Sequence, residues 1–315
     1  MKVAVKFVQK AAIPSKNGLW GVGLMSCATL MYAANDSLFK LAAHDLSPIN
    51  AMFYRGVSAA LLSVPLLLVM RQAPNLQSMT NPWVLLRSVL HLGSVFCFML
   101  AIRHLPLGDL VALGQLSPAL LIVGVSVIYG ERIGRMRWIF VAFALLGGLL
   151  LAQPRSGGMS PYVLLGLASA ILGATRDLIG RQIPLNIPVL LVVVPNIIFE
   201  IVGAGLVTTT TVSWSIPAPQ SLAMLAGSGM FLMIGHSLFF LSYRVGSISQ
   251  VAPFYYLYPV WSFLSGLLVF RDPLSGIGFI GMALILMSGV GIVVNGAPDQ
   301  KRSRFAEPQP IKPKI

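Results

Sequence analysis

Ten apolar stretches, each close to the length of a membrane-crossing helix, run through the chain with short polar breaks between them. A helix needs about 20 mostly apolar residues to cross a hydrocarbon layer of roughly 30 Å. Bounded by Gly, Pro and charge, the expected spans are 18–41, 48–70, 83–102, 107–129, 137–152, 161–180, 188–208, 221–243, 248–270 and 275–294. The breaks carry Ser47-Pro48, Gln153-Pro154, Asn186-Ile187-Pro188 and Asp272-Pro273, residues that interrupt helices and mark turns. Strands of a membrane barrel would be near ten residues long with strict alternation, whereas these runs are longer and apolar on all faces. The expectation is an all-α polytopic membrane protein with ten transmembrane helices.

Composition agrees. Only 10% of the 315 residues are charged and mean hydropathy is +0.82, against about 25% charged in soluble domains. Charge this sparse cannot cover a water-soluble globule, so the lipid bilayer is a partner. A net charge of +13 would suggest nucleic acid in a soluble protein. Here Lys and Arg lie between the apolar runs and at the termini, and no nucleic-acid partner is expected. Cys27 and Cys97 both lie inside apolar runs, which excludes a disulfide framework and a Cys-based metal site.

Orientation follows from Lys and Arg in short loops. With the N-terminus inside, fifteen of them fall on the inner side and only Lys40, Arg103, Arg155 and Arg271 on the outer. Both termini are therefore expected in the cytosol, with residues 1–17 a basic start and 296–315 a disordered tail rich in Pro and charge. Lys2, Lys6, Lys10 and Lys16 before an apolar run look like a signal peptide. The run continues into Asn35, Asp36 and Lys40 with no small-x-small cleavage site, so the segment is expected to be retained.

The two halves align at an offset of 141 residues. Asp36 falls on Asp177, Lys40 on Arg181, Phe98 on Phe239, Arg103 on Arg244, Pro118 on Pro259, Glu131 on Asp272 and Gly148 on Gly289. The units are 18–153 and 158–295. Five spans per unit is an odd number, so the second unit is expected upside down relative to the first. Inverted repeats of this kind place a substrate site near the bilayer midplane and permit alternating access.

Asn35-Asp36-Ser37-Leu38-Phe39-Lys40 ends the first span, and Arg55 follows in the second. Ser117-Pro118 precedes Gly130-Glu131-Arg132 and a fifth span with Gly147-Gly148. Over residues 18–295 the chain resembles the drug/metabolite transporter superfamily, in particular its ten-helix EamA-type members. That resemblance implies a multi-pass protein of the bacterial inner membrane, without cofactor or catalytic residues, that carries a small organic molecule. Relatives of this type include exporters of amino acids and drugs, and carriers of riboflavin or S-adenosylmethionine. The second unit departs from the pattern: Asn196 stands where Arg55 would recur, and Arg271-Asp272-Pro273 replaces Gly-Glu-Arg.

Polar residues inside spans are costly and mark functional candidates. Asp36 and Arg55, entering from the same side, are expected either to pair between the first two helices or to touch substrate, with Asn35 beside them. Arg87 lies near enough to the inner interface to snorkel. His91 and His236, on repeat-related spans, read as substrate contacts or as interhelical hydrogen bonds. Glu200 is the deepest carboxylate, roughly 18 Å from the inner end of its span at helical rise. It reads either as a paired structural group or, with Asp36, as a coupling residue that carries a proton. Asp177 reads as a local partner of Arg176, and Glu131 as an interface anchor. Gln250, Tyr255, Tyr258 and Trp261 form an aromatic and amide cluster interrupted by Pro253 and Pro259. It serves either as a belt at the membrane edge or as a site that stacks a planar ligand, with Gln115 its counterpart in the first unit. No nucleophile–base set, metal-ligand cluster or phosphate loop is present, so a membrane-embedded enzyme is disfavoured. A structural or receptor protein would have no use for an inverted repeat. The expected function is secondary transport of a small organic metabolite, with uptake of a planar vitamin such as riboflavin as the named substrate.

Overall fold

The computed structural model describes residues 18–42, 46–69, 73–102, 113–131, 133–152, 162–211, 214–270 and 276–295. The basic start, the tail, Arg71, Arg103, Arg132, Arg155, Arg271 and Asp272 lie outside the described residues.

Helices occupy nearly all of what is described. They are α1 (Gly18–Ala42), α2 (Pro48–Val69), α3 (Pro82–Ile102), α4 (Leu116–Tyr129), α5 (Arg135–Ala152), α6 (Val163–Gly180), α7 (Val189–Thr211) and α8 (Pro219–Val245). A broken helix, α9, follows: one turn over Ile248–Val251, a 3-10 segment Ala252–Tyr256, then Leu257–Val269. The last is α10 (Gly276–Asn295), and a further 3-10 segment, Ala73–Thr80, joins α2 to α3. Only helices and closed barrels satisfy their own backbone polar groups in lipid, and these apolar sequences take the first solution. Four helices, Pro48–Val69, Val163–Gly180, Val189–Thr210 and Pro219–Val245, are long and apolar enough to cross a membrane on their own. Leu61, Leu68, Val127, Ile128, Met287 and Val290 stand exposed on the outside of the bundle, as side chains facing lipid would. The chain is an all-α polytopic membrane protein.

Each expected span falls on a helix, and two differ in form. The fourth is helical at Leu113 and Gly114, turns at Gln115 and is helical again from Leu116; its expected start at Leu107 lies outside the described residues. Pro118 sits in its first turn, where a missing N–H costs no intrahelical bond. The helix stops at Gly130, whose φ of 67° is a left-handed cap that glycine adopts without a Cβ penalty. The ninth span is broken where Pro253 removes a donor and the chain tightens to 3-10 geometry.

Helix neighbours repeat when each helix is exchanged for the one five places along. α1 packs on α8 as α6 packs on α3; α6 meets α4 as α1 meets α9; α3 meets α7 as α8 meets α2. The pairs α2–α7 and α5–α10 map onto themselves. Individual contacts follow the same exchange. Ser88 donates to Asn196 Oδ1 at 2.9 Å; at the related positions, a Cβ on Gly229 would lie 2.7 Å from the Arg55 carbonyl oxygen. Ser288 donates to the Phe140 carbonyl, and a Cβ on the related Gly147 would lie 2.6 Å from the carbonyl oxygen of Gly281. α7 is the most enclosed of those four long helices: Leu190 through Val194 are all buried, together with side chains of α2, α3 and α8. A helix apolar on all faces belongs in that place.

Candidate functional site

Two adjoining cavities open in the bundle and share Arg55, Val95, Arg176, Tyr255 and Tyr258. The first, about 210 Å³, is lined by Tyr32, Asn35 and Asp36 of α1, His91 of α3, Glu200 of α7, Leu232, His236 and Phe239 of α8, and the shared residues. The second, about 280 Å³, adds Met52, Ser94, Phe98, Gly114, Gln115, Ser117, Ser169, Ala170 and Gly173. The break in α9 puts Tyr255 at the end of the 3-10 segment and Tyr258 at the start of the following helix. Their rings stack at a centroid distance of 6.0 Å and an interplanar angle of 26°.

A chain of polar contacts runs along the first cavity. Arg55 donates to Glu200 Oε1 as a buried ion pair. Glu200 Oε2 lies 3.7 Å from His91 Nε2. The other imidazole nitrogen, Nδ1, is 3.1 Å from Arg176 Nη1. Arg176 grips Asp177 with Nε and Nη2 at 2.8 and 2.9 Å, and Arg87 lies 3.6 Å from the same carboxylate. Asp36 accepts hydrogen bonds from Tyr258 Oη and, at 2.8 Å, from Asn35 Nδ2. Asn35 Oδ1 in turn accepts from Ser228 at 2.8 Å. His236 meets His91 and Tyr32 edge-on, both at 5.3 Å. Buried charges persist only when paired and hydrogen-bonded. Here Glu200 is paired with Arg55, and Asp177 with Arg176 and Arg87, while Asp36 is held by the neutral donors Tyr258 and Asn35.

The structure gathers Asn35, Asp36, Arg55, His91, Glu200, His236, Tyr255 and Tyr258 around the first cavity, and Gln115 on the second. Two expected site residues fall elsewhere. Gln250 covers Gly18 at the start of α1. Trp261 points its buried Nε1 into the protein without a hydrogen-bond partner and lines neither cavity. The expected Asp36–Arg55 pair is replaced: Arg55 turns to Glu200, and Asp36 is held by Tyr258 and Asn35. Arg87 does not snorkel; it is 1% exposed, beside Asp177 and over the Phe240 ring at 4.8 Å. Asp177 does pair with Arg176, and Glu131 is tied to Arg181 at 2.8 Å. Missed as cavity residues were Arg176, Tyr32, Phe239 and the serines 94, 117 and 169. The offset of 141 carried a signal for Arg176, which falls on Asn35.

Residues 19–153, covering α1 to α5, match the EamA-like transporter family. Over that stretch, less than half of its length, the chain is similar to EamA-like transporters. The helices make the chain a multi-pass membrane protein, consistent with inner-membrane transporters of small organic molecules. Among curated relatives, it is 29% identical to a riboflavin transporter of Rhizobium johnstonii over 78% of this chain and 81% of the relative. It is 26% identical to the pseudopaline exporter CntI of Pseudomonas aeruginosa over 86% of this chain and 95% of that one. A solved crystal structure superposes with a TM-score of 0.76 at 17% identity, covering 91% of this chain and 99% of the other, which speaks to the fold.

Proposed function

We propose that this transporter takes up a planar vitamin, with riboflavin the named candidate, by alternating access at the paired cavities. In this reading the ten helices are membrane spans in two inverted five-helix units, 18–153 and 158–295, with both termini in the cytosol. The exchange of helix neighbours between the halves supports it, since inverted repeats allow the same set of contacts to open toward either side. The observation that carries the substrate class is the stacked pair Tyr255 and Tyr258 on a wall shared by both cavities. Stacking on an aromatic side chain contributes about 1–3 kcal/mol per flat ring. The two arginines of the cavity walls, Arg55 and Arg176, are each paired with a carboxylate of the protein, which favours a ligand without net charge. Similarity to the Rhizobium riboflavin transporter points the same way.

The test is rescue of a riboflavin-requiring bacterial strain lacking its own carrier, with uptake of labelled riboflavin measured in the same cells. Growth at low external riboflavin is expected only with the chain expressed. No uptake despite membrane expression would overturn the substrate. A second reading, export of a carboxylate-bearing amino-acid derivative, draws on Arg55 and Arg176 in the cavity wall and on the similarity to the pseudopaline exporter. It predicts efflux from preloaded cells and no vitamin rescue.

A further inference from the structure

The two cavities carry different chemistry because repeat-related positions around them carry different side chains. At the offset of 141, Tyr32 corresponds to Gly173, Tyr255 to Gly114, Tyr258 to Ser117 and His236 to Val95. At each pair one member bears a ring, and the other a small or aliphatic side chain. Tyr32 illustrates the consequence: its ring packs against Gly235, where a Cβ would lie 2.9 Å from Cδ1. At the related place, Gly173 faces Ser94, and a Cβ there would stand 3.6 Å from the serine oxygen and 3.5 Å from that of Ser117. The second cavity thus exists because rings present in one half are missing from the other.

Its walls are largely apolar, with Met52, Val95, Phe98 and Ala170, and carry neutral hydrogen-bonding groups among them: Ser94, Gln115, Ser117 and Ser169. Ser94 and Ser169 hold each other through hydroxyl and carbonyl contacts of 2.8 and 2.9 Å. Gln115 is only 2% exposed, yet its Oε1 has no hydrogen-bond partner. A buried acceptor left unpaired is costly; Oε1 lies toward Gly148, and a rotation of the side chain into the lobe lets a ligand hydroxyl donate to it. The two arginines at the edge, Arg55 and Arg176, are already held by Glu200 and Asp177, so the lobe does not call for an anion.

We propose that this second lobe is the subsite for an uncharged, hydroxyl-bearing aliphatic chain, attached to the ring that stacks on Tyr255 and Tyr258. The proposal rests on the planar-substrate reading above. Gln115 Oε1 accepts a hydrogen bond donated by a hydroxyl of the chain, and Gly173 provides the room the chain occupies.

The experiment compares two flavins on the full-length protein in proteoliposomes: riboflavin, which has a polyol chain, and lumiflavin, which has the same ring with a methyl group in its place. Wild type should bind riboflavin about tenfold more tightly, the worth of about one hydrogen bond. Gln115→Leu should bring riboflavin down to the lumiflavin level and leave lumiflavin unchanged. Gly173→Leu should exclude riboflavin and still bind lumiflavin, its retained binding showing that the variant folds. Tyr258→Leu should weaken both. If Gln115→Leu leaves riboflavin unaffected or weakens both flavins equally, the subsite is overturned while the planar-ring reading stands. If wild type binds neither flavin, the planar-vitamin reading and the subsite fall together.

Discussion

Arg176 reaches His91 Nδ1 at 3.1 Å, and this contact fixes which imidazole nitrogen carries the proton. A guanidinium has donors and no acceptor, so Nδ1 must accept and the proton sits on Nε2, which faces Glu200 Oε2 at 3.7 Å. A second proton on His91 can enter only if Arg176 leaves. Arg176 lines both cavities, so its departure would alter the proposed substrate site. The other groups around His91 are Arg55 through Glu200, His236 edge-on, and Arg87 and Asp177 behind Arg176.

His91→Gln follows from this geometry. The amide oxygen can still accept from Arg176, but the side chain cannot take a proton. Exchange of labelled for unlabelled substrate across proteoliposomes should persist, while accumulation driven by an imposed pH gradient should be lost. Accumulation equal to wild type would remove His91 from the coupling path.

Glu200 is a paired carboxylate, and its prediction is first one of stability. Glu200→Gln leaves Arg55 charged and buried without its counter-ion, a loss of about 3–5 kcal/mol for one partner of a buried pair. Adding Arg55→Gln removes the orphaned charge and should restore most of the melting temperature in detergent. A double variant no more stable than Glu200→Gln would mean the pair is not the source of the loss. If Glu200 also couples transport, Glu200→Gln will fail to concentrate substrate while still exchanging it, and the double variant will not recover accumulation.

The aromatic wall separates stacking from packing. Tyr255→Leu and Tyr258→Leu should each weaken substrate affinity about 5- to 150-fold, from about 1–3 kcal/mol of stacking. Trp261→Leu lies off the cavity and should leave affinity within about twofold, a difference below roughly 0.5 kcal/mol. Equal losses at Trp261 and Tyr258, read by transport kinetics at matched expression, would return the whole cluster to a packing role.

Much of this arrangement was legible in the chain, for identifiable reasons. The cost of polar groups in lipid singled out Asp36, Arg55, His91, Glu200 and His236, all of which line one cavity. Pro253 announced the break in α9. Spacing along a helix gives depth but not the direction a side chain takes around the bundle, and there the reading failed. Asp36 and Arg55 were matched by depth. The packing of Gly229 against the Arg55 backbone brings α2 and α8 together, and the α2–α7 contact lets Arg55 reach Glu200. Arg176 was taken as spent on Asp177, because adjacency in sequence hid its remaining nitrogen from view. Gln250 precedes the break at Pro253 and packs over Gly18, whereas Trp261 shares the helix Leu257–Val269 with Tyr258 yet lines neither cavity.

The exchange symmetry makes a prediction about the α5–α10 contact. Gly147 and Ser288 occupy related positions, one meeting the Gly281 carbonyl and the other the Phe140 carbonyl. A Cβ on Gly147 would lie 2.6 Å from that oxygen and 3.1 Å from the Ile285 backbone nitrogen, and backbone atoms cannot swing aside as a side chain can. Gly147→Leu should therefore force the two helices apart, at a cost of at least the 1–3 kcal/mol or so typical of overpacking. Gly23, with nothing within 4 Å of its built Cβ, should accept Leu without loss. Ser288→Gly should be mild, since it reproduces the residue at the related place and gives up a hydrogen bond worth about 1 kcal/mol. Melting in detergent would rank the three. A Gly147→Leu protein as stable as Gly23→Leu would mean that α5 and α10 are not held at backbone contact.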